Sequence, residues 1–238
     1  MTDNVNSLRL PHIVVFTGAG ISSESGLQTF RDAGGVWEQY AIEEVATPEA
    51  WERDSAKVLE FYNQRRQQVR QARPNAAHYA LAELADYYRV SIITQNIDDL
   101  HERAGSENVL HLHGEIMKSR STKDPRLLYE LGERDIVPGD LCELGSQLRP
   151  HVVWFHEDVP EFGRAIAITR QADLFVVIGT SLAVYPAASL LEYVPRGVVK
   201  HVIAPQLDSV PADITWHRSK AAEKVPELVS LWISKGIH

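Results

Sequence analysis

The chain reads as an α/β protein, a Rossmann-like and mostly parallel sheet with a smaller inserted lobe. Three observations predict this. Short apolar runs rich in β-branched residues recur along the sequence, as expected of strands buried on both faces. Segments with helical character lie between them, as parallel strands require of their crossovers. Two stretches, 33–73 and 115–149, break the rhythm and are assigned to the smaller lobe.

Strands are expected at 12–17, 90–94, 109–112, 152–155, 173–178 and 198–203. Helices are expected at 75–87, 97–104 and 161–171, with a last one starting near Pro226, a residue favoured in first turns. Within the smaller lobe, a loop leads into a long helix at 50–72, and 115–149 is irregular. The larger lobe then comprises about 1–32, 74–114 and 150–238. Ligands bind outside the carboxyl ends of the strands in such sheets, here in a cleft between the lobes.

The 238 residues are 44% hydrophobic and 24% charged, ordinary values for one globular domain with or without an inserted lobe. The net charge of −8, from 24 basic and 32 acidic residues, disfavours nonspecific binding to nucleic acid or anionic membranes. No apolar run approaches bilayer length, and the opening MTDNVNSLRLPH lacks the apolar core of a secretion signal. One cysteine, Cys142, excludes an intrachain disulfide framework. A cytoplasmic, monomeric protein is expected.

The first strand ends in Gly18-Ala19-Gly20, and a short helical segment is expected next. Glycine lets the backbone turn sharply and approach a ligand, and a helix N-terminus offers N–H groups to phosphate. That is a dinucleotide site, although a plain strand-to-helix turn uses the same residues. Residues 94–101, TQNIDDLH, follow a strand and bring Asn96 and Asp98 to its carboxyl end. Either residue also suits a helix cap. In HLHGE, 111–115, a strand would place His111 and His113 on one face. A near-neutral histidine there is a candidate base, while H-x-H with His151 or His156 is a rival metal-ligand reading. A fourth block, GTSLAVYPAA at 179–188, follows the strand 173–178.

In this order and spacing, the four blocks resemble the sirtuin family of NAD-dependent protein deacylases, over about 14–228. The resemblance implies that NAD is a consumed co-substrate and that acyl-lysine proteins or peptides are partners, without nucleic acid or membrane. It implies a cofactor site of Gly18, Ala19, Gly20, Ile21, Phe30, Arg31, Trp37, Gln95, Asn96, Ile97, Asp98, His113, Gly179, Thr180, Ser181 and Ala221. His113 becomes the general base, with Asn96 and Asp98 beside it as catalytic groups. The implied reaction starts with attack of the acyl-amide oxygen on the ribose as nicotinamide leaves. His113 then activates a ribose hydroxyl, and O-acyl-ADP-ribose forms. Val153, Trp154 and Phe155 match the segment along which the peptide adds as a strand.

Tyr62 and Arg65 fall on one helical stripe with Trp51, Val58 and Val69. Arginine on an apolar stripe is costly unless it meets an anion, and residues three apart converge on one ligand. The pair resembles the Tyr-x-x-Arg signature of sirtuins that remove succinyl and malonyl groups; pairing with a protein carboxylate and an outward-pointing side chain are the alternatives.

The chain departs from the family in several places. The two Cys-x-x-Cys pairs of most sirtuins are missing, so no structural zinc is expected, and packing of Ile116, Leu127, Leu128, Tyr129 and Leu131 must hold the smaller lobe. His156 stands where the family has glycine, Gln28 and Pro205 replace its proline and asparagine, and Ser219 also stands where glycine is common. Mono-ADP-ribosyl transfer and NAD sensing by the same fold are the alternative activities.

Overall fold

The computed structural model describes residues 9–29, 40–182 and 184–237. Its strands are β1 (His12–Thr17), β2 (Arg89–Thr94), β3 (Val109–His111), β4 (Gly114–Ser121), β5 (Leu128–Glu130), β6 (Leu148–Val152), β7 (Leu174–Ile178), β8 (Val199–Ile203) and β9 (Thr215–His217). The helices are α1 (Ile42–Val45), α2 (Pro48–Arg53), α3 (Ser55–Gln71), α4 (Ala76–Leu84), α5 (Leu100–Arg103), α6 (Phe162–Thr169) and α7 (Ala221–Lys235).

Six strands form one sheet in the order β3-β2-β1-β7-β8-β9, with every neighbouring pair parallel. Alternate residues feed two cores. Ile13 and Val15 pack with Leu81, Leu84, Val225, Leu228 and Trp232 of α4 and α7. Val14 and Phe16 face the opposite layer, with Ala165 of α6 and Leu190. The strand order reverses between β1 and β7, and that reversal opens a crevice at their carboxyl ends.

The segment expected to be irregular holds a second, antiparallel sheet, β5-β4-β6. Its strands escape sequence reading because β4 mixes Lys118, Ser119 and Arg120 into an apolar run, and β5 has three residues. Arg66 of α3, fully buried, ties the helix to this sheet. Its Nε donates to the Ile116 carbonyl (2.8 Å), and a terminal nitrogen lies 3.5 Å from Asp135. Leu59, Leu131 and Ile136 form a small core, but Leu128 is exposed and Leu127 and Tyr129 are half-buried, contrary to the expected packing. Cys142 Sγ lies 3.3 Å from the Oγ of Ser121, the last residue of β4, and 3.2 Å from Ser146 Oγ.

Other expectations are corrected. The long helix breaks at Asp54, whose side chain accepts from Lys57 N and caps α3, so Trp51 sits on the separate α2. The helix expected at 97–104 is only α5, because Asp98 takes Leu100 N. The last helix starts at Ala221, and Pro226 lies inside it. Leu148–Val152, not 152–155, is the strand, and it pairs with β4. Residues 150–152, expected in the larger lobe, thus lie in the small sheet.

Candidate active site

A cleft of about 320 Å³ opens at the carboxyl ends of β1, β2 and β7. Gly18, Ala19 and Gly20 line it after β1, Gln95, Asn96 and Ile97 after β2, and Gly179, Thr180 and Ser181 after β7. The glycines serve backbone-to-backbone packing. A Cβ on Gly20 would lie 2.7 Å from Gly179 Cα, and one on Gly179 would lie 2.3 Å from Ile21 N. Gly20 N instead donates to Gly179 O at 2.7 Å. The chain then forms two 3-10 turns, Ala19–Ile21 and Ser23–Ser25, where a helix was expected.

The β2 loop is locked by its own polar side chains. Asn96 N donates to Thr94 Oγ1 (3.0 Å), and its Nδ2 to Ser22 Oγ (3.2 Å) and Gly18 O (3.3 Å). Ser22 donates on to Asp98 Oδ2 (3.1 Å), while Gln95 Nε2 donates to Thr180 Oγ1 (3.0 Å) and ties the β2 and β7 loops together. Burial raises the Asp98 pKa, and hydrogen bonds from Leu100 N and Ser22 oppose it. Asp98 lines a smaller adjoining cavity with Ser22, Arg65, Asn96 and Ile97.

The two histidines differ in environment. β3 ends at His111, whose Nδ1 donates to Asn96 O (2.9 Å) and whose Nε2 meets Glu102 (2.8 Å). Burial opposes its charge, but Glu102, the Asn96 carbonyl and Glu115 together outweigh burial and its pKa rises. His113, beyond the strand, lines the cleft. Burial lowers its pKa, partly offset by the Gln95 carbonyl. Its Nδ1 lies 3.0 Å from that carbonyl, which only accepts, so the proton resides on Nδ1 and Nε2 keeps the basic lone pair. Among the described residues no three His, Cys, Asp or Glu side chains are grouped to hold a metal.

At the other end, Phe61, Tyr62 and Arg65 of α3 and Val153, Trp154 and Phe155 line the same cleft. Arg65 is 7% exposed and Tyr62 4%, so Arg65 does not point outward. It donates to Gln68 Oε1 (2.9 Å) and Gln28 O (3.4 Å). Burial lowers the Arg65 pKa, opposed first by Asp98, and burial raises that of Tyr62. The backbone donors expected to receive a peptide are committed. Val153 N goes to His113 O (2.8 Å), Phe155 N to Ala46 O (3.0 Å) and Trp154 N to Glu157 (2.8 Å).

Ile21 and Ala221, two expected cofactor residues, are not among those lining the cleft. The Ile21 side chain is in the core, and Ala221 packs there too, 4% exposed. The neighbouring Ala222 N–H is taken by Glu24 (2.9 Å). Phe30, Arg31 and Trp37 lie outside the described residues. Sequence reading missed Ser22, Thr29, Ala46, Phe61 and Gln206. Only Ser22, a polar residue just past the glycine turn, left a signal in the sequence.

The glycine-packed floor, the polar groups of Gln95, Asn96, His113 and Thr180, and the apolar Phe61 and Trp154 suit a nucleotide with an apolar surface beside it. A model of the Sir2 family matches residues 18–186. An NAD-dependent protein deacylase of Bacteroides thetaiotaomicron is 49% identical over 231 residues, covering 94% of this chain and 99% of that protein. One from Helicobacter pylori strain J99 is 48% identical, covering 92% and 94%. A solved Sir2 homologue–NAD complex superposes with a TM-score of 0.84 at 42% identity, covering 95% of this chain and 91% of that one. A Sir2 bound to acetylated peptide gives 0.78 at 28% identity, covering 94% and 92%.

Proposed function

The chain belongs to the Sir2 family, and on that premise we propose that it is an NAD-dependent protein-lysine deacylase that favours acyl groups ending in a carboxylate. NAD is the consumed co-substrate, supplying a ribose carbon that becomes electrophilic as nicotinamide departs. In this reading the larger and smaller lobes flank the cleft, with the nucleotide over the loops of β1, β2 and β7. The observation that carries the acyl preference is Arg65, buried beside Tyr62 in the cleft that His113 also lines. A buried guanidinium is costly, and an arriving carboxylate offsets that cost through paired hydrogen bonds. The Tyr62 hydroxyl, one helical turn away, donates to the same group.

His113 holds its proton on Nδ1 and accepts one at Nε2 from a sugar hydroxyl. Asn96 is held by Ser22 and Gly18 O, so its amide keeps a fixed place without reorganisation. Asp98 stabilises positive charge developing nearby, at a position set by Ser22 and Leu100 N.

The test incubates the protein with NAD and matched acetyl-, malonyl- and succinyl-lysine peptides, following nicotinamide and peptide mass. Acyl-dependent nicotinamide release with loss of the acyl mass is expected. Arg65→Met should cut kcat/KM on the acidic acyl peptides by about tenfold to a hundredfold, the scale of a lost charged hydrogen bond, with a much smaller effect on acetyl. An equal loss on all three overturns the acyl preference, and ADP-ribose appearing on the peptide points to transfer instead of deacylation.

A further inference from the structure

His156 lines the cleft. Its neighbours are fixed. Phe155 N donates to Ala46 O (3.0 Å), and the Glu157 carboxylate accepts from Trp154 N (2.8 Å), Arg149 (2.7 Å) and Arg120 (3.2 Å). Between them His156 adopts φ +71°, the left-handed region that glycine fills easily and other residues reach only at a cost. Its side chain lines the cleft and is 66% exposed, and Nδ1 lies 3.4 Å from Glu49 Oε2 in the first turn of α2. The pair thus joins the segment ending α1 and starting α2 to the strip Val153–Phe155.

Glu49 is 64% exposed, and an exposed pair of this kind adds little to folding stability. The pair's small contribution to folding therefore does not account for a non-glycine residue held at φ +71° here. Its effect falls on what passes the mouth of the cleft. There the imidazole holds the Glu49 carboxylate, which faces solvent, with Asp158 also exposed two residues on.

We propose that Glu49, oriented by His156, reads the residue beside the acylated lysine and favours a lysine or arginine there over an acidic residue. This rests on the deacylase reading above. The experiment uses one acyl-lysine peptide in three forms, with arginine, alanine or glutamate at the adjacent positions. kcat/KM is measured with NAD, and binding of labelled peptide by fluorescence anisotropy. The arginine form should exceed the glutamate form by about fivefold in both measurements, the scale of an exposed ion pair, and less at high salt. Glu49→Gln should bring that ratio close to one, and His156→Gly should lower it. A ratio near one in the unaltered protein, or one that Glu49→Gln leaves unchanged, overturns the proposal. No nicotinamide release from the alanine form overturns the deacylase reading, and this proposal with it. Release that is equal for all three forms overturns this proposal alone.

Discussion

His113 and His111 are two residues apart, yet their surroundings push them in opposite directions. Glu102, the Asn96 carbonyl and Glu115 together outweigh burial and keep His111 charged more readily, whereas burial leaves His113 neutral more readily than a free histidine. A general base must be unprotonated, so kcat/KM should rise with pH through the His113 pKa. Because that value lies below the ordinary 6.5, the acid limb should fall below pH 6.5 and the profile stay flat through neutrality. His113→Ala should lower kcat by about a hundredfold to ten-thousandfold and erase that limb. A variant that keeps the limb assigns it to another group. The spacing in HLHGE does not tell the two histidines apart, so the choice of His113 as the base rests on the family likeness. The lone pair on Nε2 follows from the Gln95 carbonyl, a contact between residues 18 apart that no local pattern encodes. Ile21 and Ala221 are the converse case, residues inside matching motifs whose side chains serve the core.

The floor of the cleft depends on how two loops meet, and here element-scale reasoning sharpens the sequence reading. Gly-Ala-Gly after β1 signalled a ligand approaching the backbone. That loop lines the cleft and is also packed against Gly179, closely enough that Gly20 N bonds Gly179 O. Gly179→Ala meets two penalties, a φ of +62° and a Cβ 2.3 Å from Ile21 N. It should destabilise the fold by about 2–4 kcal/mol and weaken NAD binding at least tenfold, read by calorimetry. Gly26→Ala provides the comparison, with φ +86° and no atom within 4 Å of the added Cβ. It should cost only about 1 kcal/mol and leave NAD binding unchanged. Equal effects would mean backbone conformation, not loop contact, sets the requirement. β1, β2, β3, β7 and β8 were legible because they are short apolar runs, and their ends moved by at most one residue, whereas β9, three residues of which none is buried, was not. The small sheet was not legible, since its strands are polar and gain their order from pairing and from Arg66.

At the scale of the whole molecule, the larger lobe stores histidines that burial keeps neutral. His78 and His101 are fully buried with rings 4.9 Å apart, and His78 Nε2 and His101 Nδ1 have no hydrogen-bond partner among the described residues. Burial pushes the His78 pKa down to about 4 and that of His101 well below its ordinary value. In the unfolded chain both titrate near 6.5. Above pH 6.5 neither state binds the proton and this contribution to stability is complete. As pH falls from 6.5 toward 4, the unfolded chain takes protons that the folded protein refuses, so stability drops by about 1.4 kcal/mol per pH unit for each such histidine. His111 does not offset this fall, because the stability that its raised pKa supplies is gained above pH 6.5 and is already complete below it. The urea midpoint should therefore fall steeply between pH 6.5 and 4, and His78→Gln should flatten that fall by about one histidine's share. An unchanged slope in His78→Gln would remove His78 from the account. The same buried pair reaches the site. His101 Nε2 meets Thr17 Oγ1 (3.1 Å), Thr17 donates to Thr94 Oγ1 (2.8 Å), and that oxygen accepts Asn96 N. Acid should thus act twice on activity, reversibly by titrating His113 and cooperatively by unfolding the lobe beneath Asn96. The two separate experimentally, because only the second is accompanied by loss of the far-ultraviolet dichroism signal and is delayed by saturating NAD.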